Sequence, residues 1–365
     1  MGMLFRDVAG PCLAPHGSVV CIGAFDGVHR GHRAVLDCAR ERAANLGLTC
    51  VAISFAPIPR VFFARGVAVP QLSSAREKSA ALIDAGMQRV LLLHFDAALA
   101  AMSAEDFVAR VLVARLRACA VWVGEGFHFG HARAGDFALL QRLGQVHGFR
   151  AEIAPTFALD GERVSSSRIR ALLVAGDFDA AARLLGRRFA IGGHVVRGQQ
   201  LGRKLGYPTA NLRLGSRTAP VGGIFAVRVH GRGDALARCV EAHRAQSRAP
   251  EAGSEGPGCF ARPWTAELSN SRRGEAEPLF EGWPGVASLG VRPTVNGTEP
   301  LLEAHLFDFD GDLYGKRIEV EFVQKLREEE KFFDLAAMVQ QIHRDAAQAR
   351  NIFGIAAGAA AGATL

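Results

Sequence analysis

Two histidines three residues apart, His29 and His32 in "GAFDGVHRGH" (23–32), follow directly on a short apolar run ending at Gly23. On one helical turn, side chains with that spacing project from the same face, so both imidazoles would address one ligand. A helix opening near Val28 or Arg30 would add free backbone N–H groups and its positive dipole end. Such a constellation suits an anion, and phosphate above all. Imidazole N–H donors there would also stabilise charge growing on a departing pyrophosphate. Gly23, Gly27 and Gly31 let backbone and ligand approach closely. A bare histidine pair also arises by coincidence, so the elements around it have to carry part of the case.

A second cluster, "RVSSSRIR" (163–170), follows an apolar run. One serine would suffice to cap a helix. Three hydroxyls with Arg163, Arg168 and Arg170 would form a clamp for triphosphate oxygens, since guanidinium is suited to bidentate contacts; a plain cap remains the alternative. A third stretch, "RGQQLGRKLGYPTAN" (197–211), spaces Gly198, Gly202 and Gly206 four apart around Arg203 and Lys204. It lacks GxxxxGK[ST], so it is no P-loop. It reads as a flexible loop folding over phosphates, with the Thr209 hydroxyl as a Mg²⁺ ligand and the Asn211 amide beside it. Glu303 by itself is one acid in a strand with a solvated face. Asp308, Asp310 and Asp312 around Gly311 suggest a turn rather than a metal site.

The elements that must hold these groups follow two rhythms. Short apolar runs at 18–23, 48–55, 89–95, 120–127 and 150–157 alternate with helical patterns near 31–46, 73–86, 103–117 and 135–147. Strand, helix, strand in series predicts a parallel sheet with crossover helices. Its first strand exit, where His29 and His32 fall, is the usual phosphate site of such sheets. After Gly186 the pattern changes to turn-linked strands at 189–198, 223–231, 285–293, 301–309 and 317–326, then a helix from about 334 to 352. Ile318, Val320 and Phe322 alternate with Arg317, Glu319 and Glu321, which predicts a small antiparallel barrel. Residues 232–282, rich in Ala, Arg, Gly, Ser, Pro and Glu, predict a disordered insertion rather than a binding element, with Trp264 and Phe280 inside it and Trp283 just after it as the exceptions.

The chain has 365 residues, enough for two domains, and a formal net charge of +7 with basic and acidic residues interspersed. Small phosphorylated substrates account for that charge; neither nucleic acid nor a membrane is needed. The seven cysteines form no CxxC and several sit in apolar runs, so buried thiols of a cytoplasmic protein are expected. No window is apolar enough to span a membrane, and Asp7 and Pro11 interrupt any signal peptide.

"IGAFDGVHRGH" and "VSSSRIRALL", then "RFAIGGHVVRGQQLGRKLGYPTANL" (188–212) and "EAHLFDFDGDLYGKRIEVEF" (303–322), resemble the signatures of one family in order and separation. These are the bacterial bifunctional riboflavin kinase/FMN adenylyltransferases, also called FAD synthetases, and the resemblance covers most of 18–350 outside the insertion. It implies an α/β Rossmann-like nucleotidyltransferase domain with a parallel sheet at 1–186. A small antiparallel β-barrel riboflavin kinase domain with a C-terminal helix would occupy 187–353, and a flexible tail 354–365. The implied activity phosphorylates riboflavin to FMN with ATP and adenylylates FMN to FAD, both steps needing Mg²⁺.

By the same resemblance His29 and His32 hold ATP phosphates, with Gly23, Phe25, Asp26, Gly27, Gly31, Ser166, Ser167 and Arg168 completing that site. Gly198, Gly202, Lys204 and Asn211 contact the kinase nucleotide, Thr209 and Asn211 hold Mg²⁺, and Glu303 is the base facing the ribityl hydroxyl. The chain departs from the family pattern at Gly126 (Asn or Asp), Ser167 (Thr) and Ile58 (His). Serine keeps the hydroxyl, whereas Gly126 and Ile58 would weaken flavin or phosphate contacts. A kinase with a weakened adenylyltransferase half is thus one alternative, and a non-catalytic flavin-binding protein another.

Overall fold

Strand β2 (Ser18–Ile22) is buried along its whole length, as the apolar run Val19–Ile22 requires of a central strand covered on both faces. In the computed structural model, which describes residues 2–64, 66–198, 202, 205–215, 217–232, 279–294 and 297–356, it lies inside a parallel sheet. The other strands are β1 (Met3–Phe5), β3 (Thr49–Ala56), β4 (Arg89–His94), β5 (Ala118–Val123) and β6 (Arg150–Ile153), in the order β1-β4-β3-β2-β5-β6. β3 flanks β2 on one side and β5 on the other, so the connections diverge there and open a crevice at the carboxyl edge.

The sheet's helices are α1 (Arg30–Leu46), α2 (Pro59–Phe63), α3 (Ala75–Asp84), α4 (Ala97–Ala100), α5 (Ala104–Phe107) and α6 (Phe137–His147). α5 runs on as a π-helix over Val108–Arg115, a distortion the single pattern at 103–117 does not reveal. Edge strand β1 is three residues long with no alternation to read. The hairpin β7 (Ala158–Leu159) and β8 (Glu162–Arg163) leads into α7 (Ser166–Val174) and α8 (Phe178–Leu185).

The chain divides into two compact units, Met1–Ile169 and Arg170–Leu365. That division precedes the expected Gly186 because α8 gives its apolar face to the barrel, with Phe178 at 5.9 Å from Phe225 and 6.4 Å from Phe322 between ring centroids. The second unit is a closed barrel of β9 (Ala190–Val196), β10 (Ala210–Arg213), β11 (Gly223–Arg232), β12 (Leu279–Thr294), β13 (Gly297–Leu306) and β14 (Arg317–Arg327). The strand order is β10-β13-β12-β11-β14-β9. On β14, Ile318, Val320 and Phe322 are buried, the alternation read in the sequence. α9 (Leu335–Ile352) closes the unit, its first turn capped by Asp334.

The ends of the expected insertion belong to the barrel, since Arg232 pairs with Leu279 and Trp283 is buried with Nε1 donating to Phe307 O. Its interior, including Trp264, lies outside the described residues. So does most of the expected tail, but Ile355 packs against the apolar cluster around Ala226 and Ala349. The described cysteines are free; Cys21 and Cys50 are buried as expected, whereas Cys119 is exposed at the start of β5. Among the described residues, no helix is long and apolar enough to cross a membrane.

Candidate active sites

At the carboxyl end of β2 the chain leaves the sheet at Gly23 and returns as α1. In between, Phe25, Gly27 and Val28 have φ of 47°, 87° and 41°, a region costly for an aromatic and more so for a β-branched residue. Bonds from elsewhere hold this loop. Asp26 Oδ1 accepts from Leu72 N at 2.9 Å and Ser73 N at 3.1 Å. Gly27 N donates to Ser73 Oγ at 3.0 Å, and Ser166 Oγ to Asp26 O at 2.9 Å.

The loop delivers His29 as the N-cap of α1, its Nδ1 accepting from His32 N at 3.2 Å. A neutral ring that accepts at Nδ1 carries its proton on Nε2. The two imidazoles stack with centroids 3.6 Å apart, and Phe25 meets His32 edge-on at 5.3 Å. Burial, the neighbouring His29 and the Lys78 charge hold His32 well below the usual histidine range, so it is neutral at pH 7.

A cavity of about 300 Å³ opens onto Gly23, Phe25, His29, Gly31, His32 and Ser166. These are the expected residues that the fold brings together. Asp26 and Gly27 instead brace the loop. Ser167 and Arg168 are not on the cavity wall, and Arg168 pairs with Glu162. Ser165 accepts from Arg168 N at 3.3 Å as the helix cap. Gly126 is on the wall with φ 73° and nothing within 4 Å of where a Cβ would sit. Glycine adopts that left-handed backbone without penalty. Ile58 is buried at the start of α2 and does not line the cavity.

Two features here escaped the sequence. Glu125 accepts from Thr156 Oγ1 at 3.0 Å and Arg163 at 3.2 Å, joining separate parts of the wall. Phe55, Phe62 and Phe63 surround Phe95 at 5.8, 5.3 and 5.7 Å, and Phe63 is 59% exposed. The adjacent "FF" pair in a stretch with no period was the available signal.

In the second unit, strand register assembles the site. Asn211 on β10 and Ser288 on β12 both pair with Glu303 on β13, and directly paired residues share a face. Leu302 and Ala304 beside Glu303 are fully buried, which leaves Glu303 on the opposite face. A cavity of about 610 Å³ is lined by Arg197, Thr209, Asn211, Phe309, Asp312 and Tyr314 among others. Another of about 200 Å³ is lined by Gly202, Tyr207, Thr209, Ser288, Glu303 and His305, with Met338 and Ile342 from α9. Thr209 therefore borders both.

Asn211 Nδ2 donates to Thr209 O at 3.2 Å and to Thr209 Oγ1 at 3.4 Å. Its Oδ1 is buried without a hydrogen-bond partner among the described residues. An orphaned amide oxygen beside a hydroxyl oxygen is a donor set for a hard cation such as Mg²⁺. Gly198 allows this packing, because a Cβ there would lie 2.9 Å from the Asn211 amide. Lys204 lies outside the described residues.

The helix α9 supplies contacts that the sequence did not suggest. Tyr207 Oη lies 2.6 Å from His343 Nδ1, and Arg327 binds the buried Asp345 through contacts of 2.7–3.1 Å. Arg350 grips Asp308 at 2.7 and 2.9 Å and lies 4.6 Å over the Phe307 ring. Asp312 Oδ1 accepts from Tyr314 N at 2.9 Å, a turn-stabilising bond as expected for this segment. Burial pushes His305 down from the usual range, against the hydrogen bond to Pro208 O.

Comparison with known proteins agrees with this division. A family model described as FAD synthetase matches residues 13–168, and one described as riboflavin kinase matches 185–353. A bifunctional riboflavin kinase/FMN adenylyltransferase of Pseudomonas fluorescens is 43% identical over 335 residues, covering 92% of each chain. Its counterpart in Escherichia coli (strain K12) is 37% identical over 353 residues, covering 96% of this chain and 98% of its own. A crystal structure of a macrolide-efflux protein from Streptococcus pneumoniae superposes with a TM-score of 0.66 at 24% identity, over 95% of this chain and 99% of that one. That likeness speaks for the fold alone.

Proposed function

The chain belongs to the bifunctional riboflavin kinase/FMN adenylyltransferase family, and we propose that each unit carries one of the two reactions in the cavities described above. Riboflavin is phosphorylated to FMN with ATP, and FMN is adenylylated to FAD.

In the barrel unit, Glu303 accepts the proton of the ribityl hydroxyl as its oxygen attacks the γ-phosphorus of ATP, and ADP leaves. The larger, more polar cavity takes the nucleotide. The smaller one, closed by Met338 and Ile342, takes the flavin, so Thr209 stands where the two substrates meet. Mg²⁺, held by Thr209 Oγ1 and Asn211 Oδ1, supplies charge neutralisation at the phosphates when bound. The observation that carries this assignment is the row Asn211, Glu303, Ser288 with an orphaned amide oxygen at one end.

In the first unit, an oxygen of the FMN phosphate attacks the α-phosphorus of ATP. The bond from that phosphorus to the bridging oxygen breaks, and pyrophosphate departs. His29 and His32, stacked on one another, donate N–H groups to the phosphate oxygens beside the N-terminus of α1. Phe62 and Phe63 offer the flat apolar surface that an isoalloxazine ring requires. Gly126 and Ile58 do not favour a weakened half: one suits its backbone conformation, and the other is buried off the cavity wall. The free thiols of Cys12, Cys21, Cys38, Cys50 and Cys119 support a reducing, cytoplasmic location.

The test is incubation with riboflavin, ATP and Mg²⁺ followed by chromatographic separation of flavins. FMN and FAD are both expected. FMN without FAD would instead support the weakened-half alternative, and flavin binding without ATP turnover the non-catalytic one.

A further inference from the structure

Lys78 on α3 is only 2% exposed, a depth at which lysine is rare unless its charge is satisfied. Its Nζ donates to Phe55 O at 2.6 Å and to Ala24 O at 3.1 Å. These carbonyls mark the place where two strands part. β2 pairs with β3 as far as Ile22 and Ile53, and Gly23 N still donates to Ile53 O at 3.1 Å. Beyond it β3 continues to Ala56 while the other chain turns into the histidine loop. Carbonyls exposed by that parting have lost their ladder donors and need others. Ser54 Oγ supplies one to Ala24 O at 3.1 Å; the Lys78 ammonium bridges both sides of the gap and adds a charge.

The charge sits among the loop's own titratable groups, Asp26, His29 and His32, while Glu77 on α3 accepts from Ser74 N at 2.6 Å in a capping box. Burial draws Lys78 down to about 8, with the attraction of Asp26 opposing. Its positive charge is one of the causes that keep His32 neutral. Ala24 lies between Gly23 and Phe25, both on the cavity wall.

We propose that Lys78 is a positioning residue for adenylyl transfer, its buried ammonium pinning Ala24 to Phe55 so that the histidine loop leaves the sheet at a fixed angle beside a fixed positive charge. This rests on the reading that the first unit's cavity holds ATP phosphates. The Lys78→Met variant should then lose affinity for ATP in FAD formation by about 10- to 100-fold, the range for a lost hydrogen bond to a charged group. Conversion of riboflavin to FMN by the same chain should stay unchanged. Lys78→Arg, which keeps the charge, should recover part of the loss.

The second readout, the His32 ring titration followed by NMR, reports whether the Lys78 charge acts on the histidine loop. It should shift upward in Lys78→Met and not in Lys78→Arg. The wild-type protein supplies a third: FAD formation, but not FMN formation, should decline above pH about 8 as Lys78 loses its proton. This arm decides the matter even if Lys78→Met does not fold. An unchanged KM for ATP with an unmoved His32 titration, or a flat FAD profile through pH 9, would overturn the proposal. Failure of the underlying reading shows separately, because His29→Ala/His32→Ala would then leave FAD formation intact.

Discussion

The two proposed catalytic regions are built in opposite ways. In the first, the candidate reactive side chains come from ten consecutive residues, and the rest of the unit braces them: Leu72, Ser73 and Ser166 bond to the loop from distant parts of the chain. In the barrel, Asn211, Ser288 and Glu303 come from three strands and meet only because the registers of β10, β12 and β13 put them in one row. A contiguous loop concentrates strain, so its weak points are the bonds that hold it. A register-built site spreads its geometry over a closed sheet, so its weak points are the residues themselves and the loops at the barrel's end.

The largest effects should come from removing the reacting groups, and they should show whether the two regions work independently. Glu303→Gln keeps the shape and removes the proton acceptor, so FMN formation should fall by about 10²- to 10⁴-fold, while added FMN is still converted to FAD. His29→Ala/His32→Ala should lower FAD formation by at least about 10²- to 10³-fold, the typical cost of one such donor, and FMN should accumulate. Mixing the two variants should restore FAD from riboflavin through released FMN. If the Glu303 variant stayed folded by circular dichroism yet failed to adenylylate added FMN, independence would have to be abandoned.

A smaller effect is expected at the barrel's loops. Arg350 of α9 holds Asp308, a non-glycine residue with φ 52°, through two bonds. The segment that follows, Phe309 to Tyr314, forms much of the larger cavity's wall. Arg350→Ala should therefore raise the KM for ATP of the kinase reaction by about tenfold, the scale of one charge-assisted bond, with FAD formation from FMN unaffected. A fall in kcat with KM unchanged would mean that Arg350 does not position the nucleotide wall.

The same contrast explains what could be read from the sequence. The parallel sheet, the barrel and the closing helix were legible because each carries its own period. His29 and His32 were legible because they are neighbours on a helix turn following a strand. Glu303 was anonymous without the family resemblance, since only cross-strand pairing brings it beside Asn211. The bracing role of Asp26, the burial of Lys78 and the grip of Arg350 on Asp308 involve partners 46, 54 and 42 residues away, and no local pattern encodes such contacts. β1 and α8 show the same limit: one is too short to show a period, and the other shows an apolar face but not which unit receives it.

At Gly126 the question is whether backbone conformation or cavity chemistry sets the residue. Its φ of 73° makes alanine costly, and the space around it is open. Gly126→Ala should lower stability by about 1–2 kcal/mol, whereas Gly126→Asn, which tolerates the left-handed region, should lose less. Urea denaturation of both variants measures this; equal losses would show that tolerance of the left-handed φ does not decide the residue here.

The smallest effect concerns pH. His32 is held below its unfolded range by burial, by His29 and by Lys78. As pH falls through the ordinary histidine value of about 6.5, the unfolded chain takes up a proton that the folded one refuses. Stability rises with pH wherever the unfolded state binds more protons. The contribution of His32 is therefore fully present above pH about 6.5 and is lost progressively as pH falls toward its folded value. His305 in the barrel, lowered mainly by burial, acts with the same sign, so both regions should weaken on acidification. Single substitutions tell them apart. His32→Asn should flatten the loss of stability between pH 7 and 5.5 seen by urea denaturation, and His305→Asn should flatten a separate part of it. If His32→Asn left the slope unchanged, the folded protein would bind the His32 proton as readily as the unfolded chain does, and the depression of His32 by burial, His29 and Lys78 could not be upheld.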